Sequence, residues 1–272
     1  MIRFRFPTSA VSYMLGVALA IGLAIPAAAH EFWLEPESTR ATVGDTVPVI
    51  MAVGSDFVGE TQIFIPLDTV RFDVIGPDGT VPAGRGFAAD PAGEVKVTAP
   101  GLYAVVFQNT GQTVDMTPET FRTYAGREGL EHALQARAAA GLSESRVLDR
   151  YTRFPKTFVL AGPDTAGDGT TRNYGQVFEI VPERNLFTVR PGDSLPFRVV
   201  FRGRPAADIL VGAFLKQKSE RTATVRTDAD GRGVLPVRES GRWMLSAVAL
   251  IAAEGPGRDW DSFWASVTFD VP

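Results

Sequence analysis

Hydrophobic and polar residues alternate along much of the chain at the spacing that β-strands require. Residues 70–74 alternate with a period of two, as a strand with one buried face does. Further strand candidates cover residues 102–107, 197–201, 210–215, 223–227, 243–250 and 266–271. Turn signals such as Pro77-Asp78-Gly79 separate these runs. Many short strands joined by turns predict a mainly β protein built from immunoglobulin-like sandwiches rather than from parallel βαβ units.

Two stretches of the chain resemble each other. Residues 41–50 and residues 187–200 each contain a Gly-Asp turn that leads into an apolar run. Residues 99–107 and residues 240–248 each contain a glycine, followed by an aromatic residue and a second apolar run. Because the same signals recur at similar spacing, the sequence predicts two copies of one sandwich unit.

A short helical segment is predicted between the two copies. Thr117 suits an N-cap, and Pro118 suits the first helical position. Glycines at positions 126 and 129 weaken a continuous helix and therefore predict two short ones. The predicted organisation is a sandwich over residues 30–115, a helical insert and polar loop over residues 116–176, and a second sandwich over residues 177–272.

The first 29 residues have the features of a secretory signal peptide. Arg3 and Arg5 form a positive start, and the apolar run over residues 11–25 is too short for a comfortable membrane span. Residues 27–29 are three alanines, which fit the small-residue rule for signal cleavage. We therefore expect a periplasmic mature chain that begins at His30 and has no transmembrane segment. An uncleaved membrane anchor is the alternative.

Composition limits the chemistry that the chain can perform. Cysteine is absent, which excludes disulfides, thiolate metal sites and cysteine nucleophiles. The formal net charge of −4 gives no general case for nucleic-acid binding. His30 and His132 are the only histidines, and no serine lies in a Gly-x-Ser-x-Gly elbow. We expect no organic cofactor, and these observations favour a non-enzymatic protein.

His30 is the sharpest candidate for chemistry. After signal cleavage it would carry a free α-amine and an imidazole, which both titrate near neutrality and can close a chelate ring on one metal ion. A divalent ion such as Ni, Co, Cu or Zn suits nitrogen ligands, and tight binding would need a third ligand from the fold. The alternative is that the signal simply ends beside an ordinary histidine.

His132 and Glu31 are the expected helper ligands. His132 is predicted on the polar side of the second helix, opposite its apolar face, and shares that side with Glu128. A solvated helix surface is the plainer interpretation of His132. The aromatic clusters at residues 32–33 and 260–264 are interpreted as core residues, with an exposed patch for a sugar or a partner as the alternative.

The chain resembles a known bacterial family. The most specific similarity is in residues 30–36, His-Glu-Phe-Trp-Leu-Glu-Pro, and in the tryptophan-rich residues 260–265. Weaker similarities are at residues 43–45, 99–103, 129–133, 189–193, 227–231 and 241–243. Together they resemble the bacterial domain-of-unknown-function family 4198, often labelled a periplasmic component of cobalt/nickel transport. The resemblance implies an exported β-sandwich protein that handles a transition metal. Family members commonly have a histidine where this chain has Ala249, so a site that used it would be weakened here.

These features predict a periplasmic, non-enzymatic protein that binds a divalent transition metal of the nickel or cobalt kind and assists its uptake. His30 is the main expected ligand, with His132 and Glu31 as helpers, and a membrane metal-uptake complex is the expected partner. The alternative is a metal-free adhesion or scaffold module that binds a protein or a glycan. A third hypothesis, a copper-dependent oxidase, requires the two histidines to lie within about 5 Å so that both bind one ion.

Overall fold

The structure, a computed structural model, describes residues 30–272 without the side chains of residues 164 and 165. The predicted signal peptide, residues 1–29, lies outside the described residues. The described chain is mainly β, as the alternation predicts, and it contains two α-helices. Helix α1 spans Pro118–Arg127 and helix α2 spans Glu131–Ala139.

The strands of the described residues are numbered in chain order. They are β1 (Glu31–Pro36), β2 (Arg40–Ala41), β3 (Thr46–Ser55), β4 (Val58–Gln62), β5 (Thr69–Gly76), β6 (Gly79–Pro82), β7 (Gly93–Lys96), β8 (Gly101–Asn109), β9 (Gln112–Met116), β10 (Val147–Ala161), β11 (Phe178–Pro182), β12 (Ser194–Phe201), β13 (Arg204–Pro205), β14 (Leu210–Leu215), β15 (Glu220–Arg226), β16 (Arg232–Pro236), β17 (Gly241–Ala252) and β18 (Trp260–Val271). Every strand candidate from the sequence overlaps one of these strands, so those predictions are confirmed.

One hydrophobic core lies in the N-terminal half of the described chain. A four-stranded sheet of β1, β3, β4 and β7 packs against β5, β8 and the end of β10, which belong to a ten-stranded sheet. Val47, Val49 and Met51 point inward at alternate positions of β3 and contact Phe72 and Val105 from the opposite sheet. Period-two alternation in the sequence therefore becomes a buried face, which stabilises this half by removing apolar surface from water.

A second core lies in the C-terminal half. A four-stranded sheet of β11, β12, β13 and β16 packs against β10, β14, β17 and β18 of the same ten-stranded sheet. Leu195, Phe197 and Val199 point inward from β12, and Trp243 and Leu245 point inward from β17. The ten-stranded sheet thus contributes to both cores, and the two halves are continuous through it.

The two Gly-Asp turns that suggested an internal repeat make equivalent hydrogen bonds. Asp45 Oδ2 accepts from the backbone amide of Thr42 at 2.8 Å, and Asp193 Oδ2 accepts from that of Arg190 at 2.8 Å. In each turn the glycine amide donates to the carbonyl of a valine that directly follows β7 or β16. The likeness seen in the sequence therefore extends to backbone hydrogen bonding.

Strand β10 runs through both cores, and the sequence analysis did not predict it. It pairs in parallel with β18 over residues 149–157 and antiparallel with β9 and β8 at its two ends. In the part of β10 that lies between its pairings with β9 and β8, side-chain amides bond to its backbone instead of a neighbouring strand. Asn109 Oδ1 accepts from the Arg153 amide at 2.7 Å, and Gln176 Nε2 donates to the Pro155 carbonyl at 3.2 Å. A proline and several charged residues concealed this strand, because central strands are usually apolar.

On the face of the ten-stranded sheet opposite the C-terminal core, the helices and β1 cover the part beside the N-terminal core. Phe121 and Tyr124 of α1 stack on Trp260 and Trp264, with ring centroids 6.4 Å and 5.5 Å apart. Trp33 of β1 packs against β14 and β17 on the same face of the sheet. The tryptophans of both predicted clusters are therefore buried, but under the helices and β1 rather than inside the two sandwich cores.

The helical insert forms two short helices, as predicted. The Thr117 Oγ1 atom caps α1 by accepting a hydrogen bond from the Thr120 amide at 3.1 Å, and Pro118 is the first helical residue. Gly141 follows α2 with φ +70°, a conformation that glycine adopts readily at a helix end. Neither helix of residues 30–272 has the length and apolar character needed to cross a membrane.

Candidate functional site

His30 lies directly before β1 and lines a pocket between that strand and α1. The pocket has a volume of about 380 Å³. Its other lining residues are mostly polar: Ser55, Glu119, Thr120, Thr123, Tyr124 and Arg127. Glu119 belongs to the first turn of α1, which begins at the Thr117 N-cap, and it lines this pocket.

The His30 imidazole is partly buried, and this changes its electrostatics. Burial lowers the pKa of His30; the Glu31 carboxylate opposes this shift, whereas Arg153 and Arg127 add to it. The neutral imidazole, which keeps a lone pair, is therefore favoured at neutral pH. The side chain is in the protonation state that a metal ion or a proton donor requires.

Glu31 is buried in an ion-pair cluster with arginines. Its Oε1 atom accepts a hydrogen bond from Arg127 Nη2 at 2.9 Å, and its side chain is 1% exposed. Arg221 Nη2 lies 3.9 Å from the same oxygen and 2.7 Å from Glu128 Oε1. These pairs tie α1 to β1 and β15. The second oxygen of Glu31, Oε2, is buried without a hydrogen-bond partner in the described chain.

His132 lies in the first turn of α2, away from His30. Its Nε2 atom is 3.0 Å from the Leu250 carbonyl oxygen, and its ring meets Trp260 edge-on with centroids 6.4 Å apart. It lines a separate groove, and no described residue lines both this groove and the His30 pocket. The structure therefore does not bring the two histidines to one site.

Glu128, which the sequence placed on the same helix side as His132, belongs to a different helix end. It caps the C-terminus of α1, is almost fully buried and pairs with Arg221. Burial raises the pKa of Glu128, and the Arg221 guanidinium opposes this shift. The assumed helix-surface pair of Glu128 and His132 is wrong, because the helix breaks between them at Gly129, which has φ +69°.

The groove beside His132 follows one edge of β17. It has a volume of about 620 Å³ and lies between residues 201–210 on one side and the start of α2 on the other. Residues 248–251 of β17 form its floor. Ala249, the position at which the family resemblance implies a histidine, is one of these floor residues. Its small side chain leaves room in the groove.

The donor atoms of the His30 pocket decide whether a metal ion would fit. Within residues 30–272, no group of three or more His, Asp or Glu side chains is arranged to hold a metal ion. The pocket would offer three metal ligands only after cleavage before His30. The ligands would then be the His30 α-amine, the His30 imidazole and the Glu119 carboxylate. Nitrogen and carboxylate ligands of this kind suit Zn, Ni, Co or Cu. Arg127 is already engaged with Glu31 and Asp56.

A buried polar cluster under α1 was not predicted. Asp149 of β10 is fully buried, and its Oδ2 atom accepts from Ser262 Oγ at 2.6 Å. Trp264 Nε1 donates to the same hydroxyl at 3.2 Å. Burial raises the pKa of Asp149 to about 7, although the hydrogen bond from Ser262 opposes the shift. Asp149 Oδ1 and the Tyr124 hydroxyl have no hydrogen-bond partner among the described residues.

The comparisons with known proteins give one family and several distant structural likenesses. The family model described as "Domain of unknown function (DUF4198)" matches residues 27–250. No curated protein is similar enough to match the chain.

Three solved structures show the range of the likenesses. The D0-D1 domain of intimin is 12% identical over 87% of this chain and 96% of that chain, with a TM-score of 0.21. A tetra-tandem repeat from the extending region of a large adhesion protein is 11% identical over 90% and 50%, with a TM-score of 0.24. The human OSCAR ligand-binding domain is 10% identical over 89% and 98%, with a TM-score of 0.22. At these scores the likenesses carry no argument about function.

Proposed function

The chain belongs to the family of unknown function DUF4198, and we propose that it is an exported, non-enzymatic protein that binds a divalent transition metal at the His30 pocket. In this proposal a signal peptide covers residues 1–29, and the mature protein is periplasmic. The two cores are two immunoglobulin-like units that share one sheet. The protein would deliver the bound nickel or cobalt to a membrane uptake complex.

One observation carries the proposal. His30 sits at the expected cleavage point, in a pocket that keeps its imidazole partly buried and favours its neutral form. Its α-amine and imidazole would hold the ion together, and the Glu119 carboxylate from the first turn of α1 would be the third ligand. Glu31 is not a ligand in this proposal. It supports the site by binding Arg127 of α1, which holds the start of β1 in place. His132 takes no part, because it lines another groove.

Calorimetric titration of mature protein with Ni, Co, Cu and Zn tests this proposal. We expect His30→Ala to abolish binding and Glu119→Gln to weaken it about tenfold, because each change removes a ligand. Acetylation of the α-amine should also abolish binding while it leaves every side chain in place. His132→Ala is the matched control and should bind like the unmodified protein.

Two outcomes would contradict the proposal. Equal heats from the acetylated and free proteins would show that the terminal chelate does not form. A first residue other than His30, read by N-terminal sequencing of the exported protein, would remove the α-amine from the site. In either case the metal-free protein that binds a protein or glycan partner becomes the better hypothesis. The copper-dependent oxidase is not proposed, since the second histidine that it requires lies in a different groove.

A further inference from the structure

The second half of β17 is paired on one side only. Strand β17 pairs with β18 along its whole length, from Gly241 to Ala252. On its other side it pairs with β14 only as far as Ala247, which lies opposite Val211. From Val248 to Ala252, no strand among residues 30–272 covers this edge, and the groove beside His132 takes the place of a neighbouring strand.

Backbone alternation shows which atoms point into the groove. The Ala253 amide donates to the Asp259 carbonyl at 3.0 Å, on the side of β18. Because successive residues of a strand direct their amide and carbonyl groups to opposite sides, Val248 and Leu250 direct theirs to the free edge. The contact between His132 Nε2 and the Leu250 carbonyl confirms this direction. Because Ala247 still pairs with Val211, the Val248 amide belongs to the ladder with β14; the Val248 carbonyl and the Leu250 amide remain available for pairing.

The groove has the shape that an added strand requires. Its volume of about 620 Å³ is open along the edge, and small residues (Ala206, Ala207 and Ala249) line it. These leave space for alternate side chains of a strand, which is how strand addition combines backbone pairing with side-chain selectivity. β14 departs from β17 at Leu210, just after Asp208 adopts φ +60°, and this departure opens the groove.

The charge of the groove is positive. Arg202 and Arg204 line it. Arg202 is paired with Glu254 at 3.0 Å, whereas Arg204 is exposed and makes no ion pair in the described part of the chain. The one acidic lining residue, Asp208, is already paired with Arg226 at 3.2 Å. An occupant with carboxylates would therefore be favoured over one with amines.

We propose that the free edge of β17 accepts an extended acidic segment of a partner protein, which adds to the ten-stranded sheet as a short strand. The segment pairs with the Val248 carbonyl and the Leu250 amide, while its carboxylates meet Arg204. This site is separate from the His30 pocket, so peptide binding here is tested independently of metal binding.

A fluorescent heptapeptide of alternating Glu and Val, blocked at both ends, tests the proposal by anisotropy. We expect saturable binding, and we expect the same peptide with Lys in place of Glu to bind at least tenfold more weakly. Two further peptides carry N-methyl groups on the amides of one edge or of the other edge. If the peptide pairs with β17 through only one of its own edges, methylation of that edge abolishes binding and methylation of the opposite edge does not. Equal affinity of all the methylated and unmethylated peptides would overturn strand addition.

Amide hydrogen exchange of isotope-labelled protein locates the contact. The Glu-Val peptide should protect the Leu250 amide. The amides of Val248, Ala249 and Ile251 should not change, because β14 pairs with the first and β18 with the other two. Protection elsewhere, with none at Leu250, would overturn the proposed site.

A charge-reversed variant tests the acidic preference. Arg204→Glu should weaken binding about threefold or more at low salt, as expected for the loss and reversal of one exposed charge contact. Arg238→Glu, an exposed arginine outside the groove, is the matched control and should bind normally. Equal affinity of both variants would contradict the charge argument. Sedimentation without peptide should show a monomer; dimers that protect the Leu250 amide would make a second copy the occupant and overturn the proposal.

Discussion

Lys156 shows how a charged residue can occupy the centre of a sheet. Its Nζ atom contacts Glu179 Oε1 at 2.6 Å, and both side chains are almost completely buried. Glu179 also accepts from the backbone amides of Tyr174 and Gln176, so its oxygens are satisfied from several directions. A buried charge of this kind persists only when a partner neutralises it, and the partner here comes from β11.

Asp149 gives the stability of the protein a dependence on pH. Its pKa is raised to about 7 in the folded chain, against a usual value near 3.9 when unfolded. The folded state therefore holds an extra proton between these values, and the free energy of unfolding falls as pH rises from about 4 to about 7. We expect Asp149→Asn to remove up to about 4 kcal/mol of this decline.

Urea denaturation at several pH values between 4.5 and 8 measures this effect. Asp230→Asn, a change at an exposed turn, is the control and should follow the unmodified protein at every pH. If the free energy of unfolding of Asp149→Asn changed with pH as much as that of the unmodified protein, Asp149 would not be the cause of the pH dependence.

At the scale of elements, the helices were predictable because their signals are local. Thr117 and Pro118 act within one turn of the chain, and the structure confirms both. We expect Thr117→Ala to reduce the free energy of unfolding by about 1 kcal/mol, since the Thr120 amide loses its acceptor. Thermal denaturation should show no comparable loss for Thr123→Ala, an exposed change in the middle of α1. Equal losses in the two variants would mean that capping is not the cause.

Strand β10 could not be predicted by the same reasoning. Its charged positions look like those of a loop until their distant partners are known: the Ser262 hydroxyl donates to Asp149, and Glu179 pairs with Lys156. The same limit applies to the candidate sites. His30 was found from a cleavage motif, whereas its neighbour Glu119 and the groove beside β17 depend on how α1 and β14 pack against the sheet.

At the scale of the whole molecule, the shared sheet predicts that both cores unfold together. Leu34 is buried in the N-terminal core and Leu235 in the C-terminal core. We expect Leu34→Ala and Leu235→Ala each to lower the same single transition by about 2–5 kcal/mol, because each leaves a cavity. Coincident near- and far-ultraviolet circular dichroism curves would report one cooperative unit.

The control for this prediction is Leu67→Ala, since Leu67 is 88% exposed and should not shift the transition. Two separate transitions, of which Leu34→Ala moved only one, would show instead that the halves behave as independent domains.

The pairing of β10 with β18 also bears on the order in which the polypeptide can fold. β18, a strand of 12 residues, is the parallel neighbour of β10, and among residues 30–272 it is the one strand that pairs with the second half of β17. A nascent polypeptide that still lacks residues 260–271 has a gap in the middle of its largest sheet. The complete ten-stranded sheet can therefore form only after residues 260–271 have been synthesised.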